Sequence, residues 1–196
     1  MPPRTPLDAD AVLAATEDIL RRHGPDKATV VDVARALGVS HAAVYKHFAS
    51  KQALREAVTR RWLDRNRDTL AGIAADRAVP PAQRLRSWLH AVLTVKQAKI
   101  REDPELFAAY GILAAAHSSV ATGHVADLLG QLTAIIADGA ADGTFRTDDA
   151  AATARVVFTA TARFHHVAHA AEWQNPGIED ELDEVCSLLL EGLQNN

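Results

Sequence analysis

The chain has 196 residues, 48% hydrophobic, 5% aromatic and 23% charged, with a formal net charge of −4, values of an ordinary globular protein with room for a small domain beside a larger one. A single cysteine, Cys186, excludes an intrachain disulfide and points to a reducing compartment. The opening MPPRTPLDAD lacks an apolar leader, and no run of about eighteen apolar residues offers a membrane span, so a cytoplasmic protein without a membrane partner is expected.

Val12, Ala15, Thr16, Ile19 and Leu20 recur at helical spacing and predict an amphipathic helix from near Asp8 to His23-Gly24-Pro25. Thr29, with Asp32 three residues on, has the form of a capping box opening a short helix whose apolar stripe is Val30, Val33, Ala34 and Leu37. Gly38 ends it, and Ser40 can cap a third helix to about His47. Two short helices joined through Leu-Gly-Val-Ser form the helix-turn-helix pattern. Ser50 caps a fourth helix continuing through Trp62 towards Ala75, and Pro80-Pro81 marks the next boundary. Helices then read over 82–101, 103–115 and 118–140, followed by a turn at Asp142-Gly143-Thr144. A long helix over 148–172, capped by Thr147, precedes a loop and a last helix over 178–193. No strand alternation persists, so the fold class is all-α, with a DNA-binding domain over 1–50 and a helical domain over 51–196.

Charge is unevenly spread. Residues 27–67 hold nine Lys or Arg against three acids, whereas residues 68–196 hold nine against seventeen. That asymmetry predicts a basic working end on an acidic body; its bland alternative is a solvated basic helix face.

The run Thr29-Val30-Val31-Asp32-Val33-Ala34-Arg35-Ala36-Leu37-Gly38-Val39-Ser40, then Val44-Tyr45-Lys46-His47-Phe48-Ala49-Ser50-Lys51, resembles the DNA-binding signature of the TetR (tetracycline-repressor) family. The match covers residues 8–60; beyond them only helix count and length agree. One departure is Ala42, where many members carry Gly, which bears on how closely the third helix approaches the bases. The resemblance implies a helix-turn-helix regulator that binds a palindromic operator in double-stranded DNA as a homodimer. It carries DNA contact to Thr29, Ser40, His41, Ala42, Tyr45, Lys46, His47 and Lys51. Tyr45, Lys51 and Thr29 would meet phosphates; Ser40, His41, Ala42 and Lys46 lie at or near the exposed side of the third helix, where Ala42 would meet a thymine methyl and His41 and Lys46 base acceptors or phosphates.

The resemblance also implies that the last two helices pair with their symmetry mates. Their stripes are Ala154, Val157, Phe158, Thr161, His165 and Ala168, then Leu182, Val185, Cys186, Leu189 and Leu193, and each has the chain's own core as an alternative role. A cavity for a small apolar or amphipathic ligand would draw on Trp88, Val92, Phe107, Tyr110, Leu113, Leu128, Leu132 and Phe164, residues that read equally as plain core. His165, His166 and His169 invite a metal reading, but no Glu stands between them as in His-Glu-x-x-His, so no metal and no cofactor are expected. The resulting expectation is a repressor released from DNA by its ligand, not an enzyme. A helical ligand-binding module without DNA binding, or a histidine-cluster enzyme, stands as the alternative.

Overall fold

In a computed structural model, residues 7–27 and 29–194 are described. The absence of a leader was read partly from Met1–Pro6, which lie outside the described residues.

Among the described residues there are ten α-helices and two short 3-10 segments: α1 (Ala9–Lys27), α2 (Val30–Leu37), α3 (His41–Tyr45), α4 (Lys51–Asp64), α5 (Arg67–Ala75), α6 (Pro81–Glu102), α7 (Pro104–Ala115), α8 (Ser119–Ala141), α9 (Ala150–Ala160), 3-10 segments Ala162–Phe164 and Val167–Glu172, and α10 (Ile178–Leu193). The all-α class is as the sequence reads. The chain forms two compact units, residues 1–65 with 100–122 and residues 66–99 with 123–196, whose boundaries fall between α4 and α5, within α6 and within α8.

In the first unit, α1 buries Val12, Thr16, Ile19 and Leu20, the stripe seen in the sequence. Its regular geometry stops at Gly24, whose φ of 74° lies where only glycine is at ease. Val12 and Ile19 join Val30, Val33, Ala34, Val44 and Leu54 in one core that holds α2, α3 and α4 together. A second tie is ionic. Glu17, buried on α1, meets Arg61 at 3.5 Å and also pairs with Arg65 of α4. Asp103, at the head of α7, accepts from Arg21 at 2.6 Å, from the Trp62 indole at 3.0 Å and from Arg65 at 3.3 Å. Burial works against the Asp103 charge, but Arg21 and Trp62 hold its carboxyl below the usual range.

In the second unit, α6 and α8 run antiparallel, joined at successive levels. Arg84 reaches Asp138 at 2.9 Å, the Trp88 indole donates to Gln131 at 2.9 Å, and Lys96 Nζ lies 3.3 Å from His124 Nε2. α8 is long and apolar enough to cross a bilayer by length and composition alone. Its polar His124, Gln131 and Asp138 are instead the groups that bind α6. After α8 the chain turns back so tightly that Phe145 packs on Gly139, where a Cβ would stand 2.1 Å from the ring.

Three expectations are corrected. The fourth helix does not run to Ala75; it stops at Asp64, where Arg65 turns to Glu17 and Asp103, and α5 starts afresh at Arg67. The third helix ends at Tyr45, two residues early, with Lys46 as its C-terminal cap. The long helix over 148–172 is broken. Asp149, not Thr147, caps α9 by accepting from Ala152 N at 2.8 Å, and the α-helix ends at Ala160. Past that point the Phe158 carbonyl accepts from His165 Nε2 at 2.9 Å, and the two rings lie 4.0 Å apart. A continuing helix would give that carbonyl to the residue 162 amide; here the His165 ring and, at 3.3 Å, the Thr161 hydroxyl donate to it instead.

Candidate nucleic-acid interface

The α2–turn–α3 unit is built by local side-chain chemistry. The Thr29 hydroxyl accepts from Asp32 N at 3.2 Å and donates to Asp32 Oδ2 at 2.6 Å. That hydroxyl, with Arg35 nearby, keeps the Asp32 carboxyl below its ordinary range. Gly38 adopts φ 64°, ψ 33°, and Val39 N returns to Ala34 O at 3.0 Å, closing the end of α2. Ser40 then accepts from Ala43 N at 3.3 Å and opens α3.

Val44 is the buried anchor of α3, fully enclosed by the α1–α2–α4 core. Around it Ser40, His41, Ala42, Tyr45, Lys46 and His47 are all exposed, Tyr45 to 47%. An aromatic ring left half in water beside two cationic or titratable side chains is a surface, not a core. Phe48, by contrast, packs on the core. Lys51, exposed on the first turn of α4 behind the Ser50 cap, borders a shallow recess with Thr29, Val30, Leu54 and Arg55. Thr29 itself is half-buried, and its hydroxyl proton is committed to Asp32. What it offers an anion is the amide-rich start of α2.

The basic excess over residues 27–67 is divided by the structure. Arg61 and Arg65 are turned inward onto Glu17, Asp10 and Asp103. Arg55, one turn beyond Lys51, donates to the Pro25 carbonyl at 3.0 Å and fixes the end of α1 against α4. Sequence reasoning passed over Arg55; its spacing of four from Lys51 was the available signal.

The residues named for a ligand cavity fall in both units. Phe107 and Tyr110, with Leu113 buried near by on α7, belong to the first, where Trp62, Phe107 and Tyr110 form a ring cluster with centroids 6.3–6.5 Å apart. Trp88, Val92, Leu128, Leu132 and Phe164 are buried in the second.

The histidine cluster separates because its helix does. His165 is buried on the Phe158 carbonyl, the exposed His166 accepts from Ala168 N at 3.3 Å, and His169 Nδ1 meets Glu172 at 2.9 Å. The stripe of α9 turns inward: Ala154, Val157 and Thr161 are buried, while Val156 is 65% exposed. On α10, Leu182 and Cys186 are buried, Leu189 is half-buried, and Leu188 stands out at 72% exposure. Burial pushes the Cys186 thiol up to about 11, so it stays protonated and unreactive.

Sequence reasoning also missed three buried cations on α6: Arg84, Lys96 and Lys99. Their signal was present, since Trp88, Val92 and Lys96 share one helical stripe.

Residues 81–186 match the family model described as "Tetracyclin repressor-like, C-terminal domain", and residues 12–58 match "Bacterial regulatory proteins, tetR family". A curated relative, the uncharacterized HTH-type transcriptional regulator Rv1255c of Mycobacterium tuberculosis, is 34% identical over 106 residues, which are 54% of this chain and 50% of that protein. The chain thus spans about half the length of the curated relatives it matches. Among solved structures, a protein of unknown function from Rhodococcus sp. RHA1 superposes with a TM-score of 0.72 at 23% identity, covering 95% of each chain. The transcriptional regulator FadR of Bacillus subtilis, solved with stearoyl-CoA, superposes with a TM-score of 0.64 at 14% identity, covering 94% of this chain and 99% of that one. At such identities the superpositions establish a shared fold; with a helix-turn-helix built as described and a family match over more than half its length, the chain belongs to the TetR family of transcriptional regulators.

Proposed function

We propose that this chain is a homodimeric, cytoplasmic regulator that represses transcription from a palindromic operator and leaves it when a small amphipathic molecule binds the helical body. The observation that carries the reading is α3: a short helix pinned by Val44 alone, with His41, Ala42, Tyr45, Lys46 and His47 all turned to solvent. A helix of that size enters the major groove, about 12 Å wide, with its early residues at base edges. Lys51 and the start of α2 flank it as phosphate contacts.

Dimerisation is needed because one short helix reads too few base pairs. Two copies spaced one DNA turn apart, roughly 34–36 Å, read a palindrome. The outward residues Val156 and Leu188 on α9 and α10 supply apolar contacts for a two-fold seam. For the effector, the apolar rows on α6 and α8, including Trp88, Val92, Leu128 and Leu132, provide a lining. The FadR of the same fold, holding stearoyl-CoA, supports an amphipathic occupant. Release then requires only that the ligand prefer a state whose α3 spacing mismatches DNA. The chain acts by binding and not by catalysis.

The test is selection of duplexes from a random pool by the full chain, then titration of the winning and scrambled sequences at several salt concentrations. A palindromic winner bound at least a hundredfold tighter than its scramble is expected. Equal affinity for both would overturn the reading.

A further inference from the structure

The start of α2 and the first turn of α4 are more than twenty residues apart in the chain, yet they face each other across a recess of the first unit. Pro25, Thr29 and Val30 stand on one side of it, Lys51, Leu54 and Arg55 on the other. The recess measures about 20 Å³, room for about one water molecule, so it is a joint between two walls and not a ligand pocket.

Two kinds of force hold the joint. Val30, Val33 and Leu54 belong to one buried core, which draws the walls together. Apolar burial is non-directional, however, and does not set how far the rim opens. At the rim, the half-buried Arg55 donates from Nη2 to the Pro25 carbonyl at 3.0 Å, a charge-assisted bond with a preferred length and line. Pro25 follows Gly24, whose φ of 74° breaks α1, and stands four residues before Thr29, the cap of α2. The end of α1 is held from the side of α7 as well. Arg21 bonds Asp103 at 2.6 Å, and a Cβ at Gly24 would lie 2.8 Å from the Glu105 carboxylate. Arg55 therefore ties α4 to a fixed point. Lys51 and Arg55 are like charges four residues apart, a mildly unfavourable pair on a helix, so α4 by itself gains nothing from the second cation.

We propose that Arg55 is a positioning residue for DNA binding: by bonding the Pro25 carbonyl it sets the separation between the amide-rich start of α2 and the Lys51 ammonium, so that the two take hold of the DNA backbone together. Arg55 acts through Lys51 and does not itself touch a phosphate. A charge-assisted contact to phosphate spans about 2.7–2.9 Å, so a rim that opens by about an ångström forfeits one of the two holds. The cost falls on every sequence alike, because phosphate contacts carry no base information. The inference deepens the regulator reading above and rests on the phosphate contacts assigned there to Lys51 and α2.

The test is a double-mutant cycle on the full chain: parent, Lys51→Ala, Arg55→Met, which keeps an apolar stem and removes the donors, and the double variant. Each is titrated by anisotropy with a random-sequence duplex and a selected operator between about 50 and 200 mM salt. Lys51→Ala should flatten the salt slope by about 1.8 per dimer. Arg55→Met should flatten it by at least half as much, while its preference for operator over random duplex stays within about twofold of the parent's. The double variant should bind within about twofold of Lys51→Ala, with no further flattening. Hydrogen exchange of the free chain over residues 24–33 should quicken about fivefold or more in Arg55→Met and stay at the parent's rate in Lys51→Ala. An Arg55 that touches phosphate itself would make the double variant flatter than either single one. An Arg55 that serves only the fold would multiply its loss with that of Lys51→Ala and leave the slope alone. Either result, or unchanged exchange over residues 24–33, overturns the proposal and leaves the role of Lys51 standing. No flattening by Lys51→Ala sinks the phosphate assignment and this inference with it. Should Arg55→Met lose helix by circular dichroism, Arg55→Gln takes its place in the cycle, with the same outcomes expected.

Discussion

Lys51 and Arg61 look alike in the sequence, two basic residues of the same helix, and the structure separates them. Lys51 is exposed at the first turn of α4 beside Thr29 and the start of α2. Arg61 bonds the Asp10 carbonyl at 3.2 Å and faces Glu17 at 3.5 Å. If Lys51 neutralises one phosphate, its removal takes one counterion from each half-site, and the slope of log affinity against log salt falls by about 0.9 per contact. Two copies in a dimer make that roughly 1.8. Between about 50 and 200 mM salt, a slope difference of that size changes the ratio of parent to variant affinity by about twelvefold. Arg61→Gln should leave the slope unchanged, because the charge it loses faces Glu17 and not DNA; Arg65 still pairs with Glu17 and keeps the fold closed. The assay is fluorescence anisotropy of a selected duplex and its scramble over that salt range, for the parent, Lys51→Ala and Arg61→Gln. Equal flattening by both variants, or none by Lys51→Ala, would show that the basic stretch acts as an undivided charge and that the placement of Lys51 carries no information.

Three further outcomes are expected. His41→Ala should leave the salt slope in place but cost about 1–3 kcal/mol at particular operator positions and near nothing at others, read from affinities for single-base variants of the selected duplex. Leu188→Glu should split the dimer in sedimentation at micromolar concentration, because the two-fold axis repeats the charge on both protomers, whereas Leu189→Ala should leave it dimeric. Burial holds the His165 imidazole at about 4 and His124 at about 3 against an ordinary 6.5, so on acidification the unfolded chain takes up protons that the folded chain refuses. Stability should be full above pH 6.5 and decline towards pH 4 in thermal melts, and His165→Gln should make that decline shallower.

How much of this was legible in the sequence differs by element. The helix-turn-helix was readable almost atom by atom because its signals are local. Thr29, Gly38, Ser40 and Ser50 cap or close their helices by bonds within three or four residues. The long helix expected over 148–172 failed for the opposite reason. No Gly or Pro interrupts residues 150–172, and at the break the Phe158 carbonyl is taken by side chains, the Thr161 hydroxyl and the His165 ring seven residues on. The end of α4 was equally hidden, since Arg65 turns towards Glu17 and Asp103, partners far away in sequence. For the candidate site the exposed residues of α3 were legible from the motif. Which arginines of the basic stretch face inward was not, because that choice is made by acids on α1 and α7.

The two units handle buried charge differently, and that difference bears on what each is for. Among the described residues of the first unit, the buried Glu17 sits among Arg21, Arg61 and Arg65, and the partly buried Asp103 among Arg21, Arg65 and the Trp62 indole. Such a network is self-consistent without any partner and keeps α1, α4 and α7 in one arrangement, as a reading head must be held to meet base edges within a fraction of an ångström. In the second unit the far end of the α6–α8 pair brings Lys96 Nζ to 3.3 Å from His124 Nε2, and burial first of all draws Lys96 down to about 8 and His124 to about 3. Only a difference in a ligand's affinity between two states lets a small molecule move a protein off its DNA.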